Sequence, residues 1–170
     1  SKLDKIVTLE EELENVEDYL MIQKRRFAER LEFLIECEET CKKAQIPSMI
    51  LQPLCENALI HGVMPVPKGG KIKIKAWRKD EIIYIKVIDD GIGFSKERLE
   101  EIRLRLKQDQ YDDTQGIGMN NTIQRLKMYF QENVGCEIES EQGKGTVIIL
   151  SFPVQMQCLN KEEPNRRKLW

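Results

Sequence analysis

Apolar residues Leu9, Leu13, Val16 and Leu20 recur at spacings of four, three and four, which is one face of a helix. Thr8 followed by Glu11 forms a capping-box pattern, and Glu10, Glu11, Glu12 and Glu14 precede Lys24, Arg25 and Arg26, the charge order that suits the helix dipole. These signals predict a helix over residues 8–28. Its narrow, nearly heptad seam suits pairing with another helix as well as docking on the chain's own core. Leu31, Phe33 and Ile35 then alternate with more polar neighbours, predicting a strand from Leu31 to Glu38. Pro47 and Pro53 bracket the opening of a second helix, expected from Pro53 to His61 with Gly62 as its terminator and Pro65 beyond. Strict alternation over Lys71 to Ala76 predicts a strand with one wet face, and Ile82 to Ile88 a more buried one. A tight turn at Lys79 and Asp80 joins them. Ser95 is placed to cap a helix bearing Leu99, Ile102 and Leu106. Gln108 to Gln115 has almost nothing to bury and reads as a mobile loop. Gly116-Ile117-Gly118 opens a helix running to Gln131, with Ile123, Leu126, Met128 and Phe130 available for packing. Cys136 to Ser140 and Thr146 to Phe152 read as a second hairpin, and the residues from Asn160 as a polar tail.

Composition narrows the class. With 170 residues the chain supports one core rather than two full domains. The formal charge of -2, from 27 Lys+Arg and 29 Asp+Glu, supplies no global positive field, so nucleic acid and anionic lipid are disfavoured as partners. No run approaches the ~20 apolar residues that span a bilayer, and the first residues do not resemble a signal peptide. The expectation is a cytoplasmic chain, and its start without Met reads as a piece of something larger. Five cysteines without a C-x-x-C pair lack zinc-ligand spacing. They read as free thiols in a reduced compartment, with a Cys55–His61 nucleophile pair as the alternative.

Four features carry candidate chemistry, and each also has a plain structural reading. Successive helical residues turn by about 100°, so Asn57 and His61 share one edge of the apolar stripe about 40° apart. That pairing presents an amide acceptor for a metal and a donor for an anion, or merely a polar helix edge. Asp89-x-Gly91-x-Gly93 ends a buried strand; such an Asp can accept from an exocyclic amine while glycines let a flat ligand approach, or it makes a turn. Gly116-x-Gly118 opens a helix, where free N–H groups and the dipole cradle phosphate, or it is a loop. Gly143-x-Gly145-Thr146 adds a backing hydroxyl, or turn chemistry. Taken in order, the series fits a nucleotide. It is neither the Rossmann nor the P-loop series, since GxGxxG after the first strand and GxxxxGK[ST] are both missing.

Residues 47–153 resemble the ATP-binding domain of the GHKL superfamily (gyrase, heat-shock chaperone, histidine kinase, mismatch-repair ATPase). Glu56-Asn57-Ala58-Leu59-Ile60-His61 matches the N box, Asp89-Asp90-Gly91-Ile92-Gly93 the G1 box, Gly116-Ile117-Gly118-Met119 the G2 box and Gly143-Lys144-Gly145-Thr146 the last glycine motif. The strings TLEEELENVEDYLMIQKRRF, LQPLCENALIHG and GIGMNNTIQRL are similar to sensor histidine kinases of the YesM/LytS type, so the likeness extends from Thr8 to Pro153.

The resemblance implies an α+β two-layer sandwich, the Bergerat fold, with a mixed, mostly antiparallel sheet, helices on one face and a preceding N-terminal helix. It implies residues 1–30 as the helical remnant of a dimerisation and phosphoacceptor region, 31–154 as the catalytic domain and 155–170 as a tail. In this reading Asn57 binds Mg²⁺ bridging the phosphates of ATP, and Glu56 assists the metal or acts on the attacking group. His61 contacts phosphate, and Asp89 takes the adenine amine beside Gly91 and Gly93. Gly116, Gly118 and Met119 belong to the phosphate cradle, and Thr146 supports Asp89 through water. Pro53 stands where gyrase-type ATPases carry the acid that activates water, which favours transfer to a protein over hydrolysis. His61 is the single histidine, so the phosphoacceptor histidine is expected outside these residues. The implied partners are histidine-bearing dimerisation helices of the same parent, a response regulator and a second copy in a homodimer, with the parent held in the cell membrane. A hydrolysing ATPase and a non-enzymatic interaction module are the alternatives.

Overall fold

The computed structural model describes residues 5–108, 119–131 and 133–156. The order is β1 (Ile6–Thr8), α1 (Leu9–Phe27), β2 (Leu31–Cys37), β3 (Gln45–Pro47), α2 (Leu51–Asn57) continuing as a π-helical segment (Ala58–Val63), β4 (Gly70–Lys79), β5 (Ile82–Asp89), α3 (Lys96–Lys107), α4 (Met119–Phe130), β6 (Gly135–Glu141) and β7 (Gly145–Pro153).

Helix α1 starts where the capping box places it. Thr8 Oγ1 accepts from the Glu11 amide at 3.2 Å, and Glu11 Oε2 accepts from the Thr8 amide at 3.3 Å. Leu9, Leu13, Val16 and Leu20 are all buried in the chain's own core, joined by Glu12. The seam is therefore consumed by intramolecular docking. Ser95 caps α3 by accepting from the Arg98 amide at 3.2 Å. Within α4, Ile123, Leu126 and Phe130 pack inward, whereas Met128, expected to pack, is 78% exposed. It falls on the helix's outer face.

Five strands form one sheet in the order β2-β4-β5-β7-β6, with β2 parallel to β4 and every other pair antiparallel. This is the expected mixed α+β architecture. Ile72, Ile74 and Ala76 of β4, Ile83, Ile85 and Val87 of β5, and Ile148, Leu150 and Phe152 of β7 are buried. The intervening Lys71 and Lys75 of β4 face water. The period of two thus sorts one face of the sheet under the helices. The β4–β5 turn is Asp80–Glu81, one residue later than expected, because Lys79 pairs with Ile82; Asp80 takes φ 54°, which Asp tolerates. A second small sheet, β1 with β3, was not legible in so few residues; it pairs Ile6 with Pro47 and ties the start of α1 to the approach to α2. The loop expected over Gln108 to Gln115 and the tail from Asn160 lie outside the described residues, save Gln108. No helix among the described residues is long and apolar enough to cross a membrane.

The second helix corrects the sequence expectation at both ends. It begins at Leu51, not Pro53, because Pro53 lies in the first turn, where its missing N–H has no helical partner to lose. It also runs past His61. The chain widens to i→i−5 bonding, with Met64 N donating to Leu59 O at 2.9 Å, and Gly62 lies inside this segment instead of terminating it.

Candidate functional site

A narrow cleft, with about 380 Å³ of space not filled by atoms, lies between α2 and the sheet. Leu54, Asn57, Ala58, His61 and Gly62 line it from the helical side; Val87, Asp89, Gly93, Phe94, Thr146 and Ile148 line it from β5, its C-terminal loop and β7. Asn57, His61, Asp89, Gly93 and Thr146, picked from three separate motifs, therefore share one cavity. Thr146 reaches it because it pairs with Asp89 across β5 and β7.

Asp89 is 6% exposed and is the acidic group at the bottom of apolar walls. Its Oδ1 accepts from the Gly91 amide at 2.9 Å. Burial pushes its carboxyl up to about 6, and neighbouring Asp90 adds to the rise; the Gly91 and Thr146 amides pull it back. At neutral pH the group is mostly ionised and acts as an acceptor.

Glycines set how close a ligand and the backbone come. A Cβ on Gly62 would lie 2.5 Å from Asp89 Oδ1, and one on Gly91 would collide with the Gly62 backbone. The Ile92 amide donates to Gly62 O at 3.0 Å, so the helix and the loop after β5 are in direct backbone contact. Gly145, at φ 111°, abuts the Asp89 carbonyl. Sequence reasoning treated Gly62 as a helix terminator, because glycine after an apolar run carries that signal regardless of what packs against it.

Ser140 was also missed. Its hydroxyl accepts from the Phe94 amide at 2.8 Å, donates to Gly145 O at 2.9 Å and lies 2.9 Å from Thr146 Oγ1. It thereby joins the cleft wall at Phe94 to the strand behind Asp89. A serine in a β-hairpin carries no signal for this in sequence.

The remaining expected residues fall elsewhere. Glu56 accepts from Gln52 Nε2 at 3.2 Å along the helix and is not among the cleft-lining side chains. Gly91 supports the cleft from behind through Gly62. Met119 is buried in the core at the start of α4. Gly116 and Gly118 lie outside the described residues. The alternative Cys55–His61 pair is not assembled: Cys55 is fully buried and burial pushes its thiol up, away from the reactive thiolate, while His61 is exposed. Cys37, Cys41, Cys55 and Cys136 are free thiols.

The fit to a magnesium-bound triphosphate rests on Asn57. Its Nδ2 is buried without a hydrogen-bond partner on a residue that lines the cleft, a donor suited to a phosphate oxygen, while the Oδ1 of the same amide is the atom able to ligate a metal. Among the described residues no group of three or more His, Cys, Asp or Glu could hold a metal ion. A site with one protein amide suits Mg²⁺, which keeps most of its shell in water and substrate phosphates.

Comparison with known proteins agrees with this geometry. Residues 43–156 match the family described as histidine kinase-, DNA gyrase B- and HSP90-like ATPases. The chain is 36% identical over 154 residues to the sensor histidine kinase YesM of Bacillus subtilis (strain 168), covering 91% of this chain and 25% of that protein. It is 32% identical over 148 residues to the sensor protein kinase HptS of Staphylococcus aureus (strain USA300), covering 87% and 28%. The chain thus spans about a quarter of the length of these relatives. Among solved structures, the catalytic domain of histidine kinase ThkA superposes with a TM-score of 0.64 at 18% identity, covering 88% of this chain and 95% of that one. The mycobacterial sensor histidine kinase MprB gives a TM-score of 0.57 at 15% identity over 90% and 99%. With most of its length matched and its cleft built from the matching motifs, the chain belongs to the family of histidine kinase-, DNA gyrase B- and HSP90-like ATPases.

Proposed function

We propose that this chain is the ATP-binding catalytic portion of a two-component sensor histidine kinase. It would bind Mg-ATP in the α2–sheet cleft and pass the γ-phosphoryl group to a histidine outside these residues. The observation that carries the reading is the buried Asp89 carboxylate in a cleft whose lining includes the apolar side chains of Leu54, Val87, Phe94 and Ile148, with one Asp89 oxygen held by the Gly91 amide. Such a floor accepts from the exocyclic amine of adenine while the walls hold the ring.

Asn57 would hold the metal through its amide, and His61, exposed at the cleft's edge, would meet the phosphates. Thr146 backs Asp89 from β7 and would share a water with it. Bound Mg²⁺ supplies charge neutralisation and alignment of the phosphate oxygens. Glu56, adjacent to Asn57 in sequence, is assigned to orient the attacking imidazole. Gly116, Gly118 and Met119 would close the phosphate end. Pro53, at the position of a hydrolytic acid in gyrase-type enzymes, favours transfer over hydrolysis. Residues 1–30 would lead from the dimerisation helices of a homodimer, with residues 31–154 catalytic and 155–170 a tail; a response regulator would take the phosphoryl group onward, and the parent would be held in the membrane.

Titration with Mg-ATP tests the site. The unsubstituted chain should bind, and Asn57→Ala or Asp89→Asn should weaken binding at least ~10-fold, about 1.4 kcal/mol. Unchanged curves for both variants would reject the assignment. Incubation with labelled ATP should leave the chain itself without acid-labile label; label on His61 would contradict transfer to an outside histidine.

A further inference from the structure

Glu12 occupies a place where a carboxylate is out of keeping with its neighbours. It lies within the apolar seam of α1, beside Leu9, Leu13 and Val16, and is 1% exposed. A charge so buried must be fully hydrogen-bonded. It is: Oε1 accepts from the amides of Ile50 at 2.9 Å and Leu51 at 3.0 Å, and Oε2 from the amide of Met49 at 3.1 Å. These are the donors at the opening of α2. The residue at the N-cap position, Ile50, offers no side-chain cap, so α2 is capped by another helix.

The opposite end carries the opposite charge. Arg30, just after α1, donates through Nη2 to Met64 O at 2.9 Å and Val66 O at 3.3 Å, immediately beyond the π-helical segment that ends at Val63. An anion thus sits at the amino end and a cation at the carboxyl end of the helix bearing Asn57 and His61, each in the sense the helix dipole favours. Both come from the segment before residue 43, outside the residues matched by the family.

We propose that Glu12 and Arg30 are positioning residues for the nucleotide site, through which the α1 segment sets the place of the helix carrying Asn57 and His61. A shift of α1 against the sheet is then transmitted to both ends of that helix. The inference rests on the reading of the cleft as a nucleotide site. It supplies a route by which the segment preceding the ATP-binding fold controls the affinity of that fold.

His61 is the single histidine of the chain, so its ring gives one unmistakable set of NMR signals on the helix in question. The experiment compares the unsubstituted chain with Glu12→Gln, Arg30→Lys and, as a control on the exposed face of α1, Asp18→Asn. Glu12→Gln and Arg30→Lys should each displace the His61 ring signals and weaken binding of a nonhydrolysable Mg-ATP analogue about fivefold or more, while Asp18→Asn leaves both unchanged. A purely structural role would lower the melting temperature and leave the His61 signals in place. Signals of both folded variants that superpose on those of the unsubstituted chain would overturn the proposal. If Glu12→Gln does not fold, Arg30→Lys, which keeps the charge and loses the guanidinium geometry, decides alone. If the unsubstituted chain takes up no nucleotide, the functional reading falls, and the His61 signals still decide whether the two residues set the helix.

Discussion

The carboxylate of Asp89 rests against the Cα of Gly62: a side-chain carbon at residue 62 would stand 2.5 Å from Asp89 Oδ1 and 2.8 Å from its Cγ. A helix and a strand far apart in sequence approach closely because neither interposes a side chain at this point. The widened turn over Ala58–Val63 brings Gly62 to that contact.

Gly62→Ala should therefore damage the site more than the fold. Asp89 is held by the Gly91 amide and by its strand neighbours, so the added methyl group displaces the carboxylate or pushes the helix outward. Nucleotide affinity should drop at least ~10-fold, about 1.4 kcal/mol. Titration against Mg-ATP with circular dichroism as a check on folding measures it; a folded variant with unaltered affinity refutes the contact's role.

Asp89 also sets a stability dependence on pH. Its folded carboxyl titrates near 6 against 3.8 for the ordinary group, so the folded state binds the proton more tightly. Its contribution to stability is complete below about pH 4, declines between pH 4 and 6, and is gone above the folded value. The shift corresponds to roughly 3 kcal/mol at most. Asp89→Asn should be more stable than the parent above pH 6 and lose that advantage toward pH 4, as read from urea denaturation across the range. A variant less stable at pH 7 and equally so at pH 4 contradicts the sign.

The hydroxyl of Ser140 joins three groups around the cleft wall. Ser140→Ala leaves the Phe94 amide without its acceptor, which costs about 1–3 kcal/mol. The expected result is a lower urea midpoint accompanied by weaker nucleotide binding, since Phe94 lines the site. A midpoint shift without any change in binding would separate Phe94 from the ligand.

Thr8→Ala removes one half of the reciprocal cap on α1. Loss of about 1 kcal/mol in chemical denaturation is expected. Retention of full stability would indicate that the pairing of β1 with β3 holds the helix start without the cap.

Most elements were legible because their signals are local. The Thr8–Glu11 box, the seam from Leu9 to Leu20, the alternation in β4 and β5 and the Ser95 cap each depend on residues a few positions apart. The site was half legible for the same reason: Asn57, His61, Asp89, Gly93 and Thr146 sit in short motifs whose chemistry can be named residue by residue. Helix α2 was misplaced at both ends, since its start is capped from α1 and its end is widened against the loop after β5.

By itself, then, the order of residues determined most of the stretches that are helix or strand and marked Asn57, His61, Asp89, Gly93 and Thr146, which line one cleft, because backbone propensity, capping and burial periodicity act over one or two turns. Only the tertiary structure decided that Gly62 makes room for Asp89, that Ser140 ties Phe94 to Gly145, and that Glu12 and Arg30 bracket the helix of Asn57. Apart from the Ser140–Gly145 pair within one hairpin, those contacts join residues 27 to 46 positions apart. Glycine, serine and glutamate have no periodicity that announces a distant partner; the pairing exists once the core has closed.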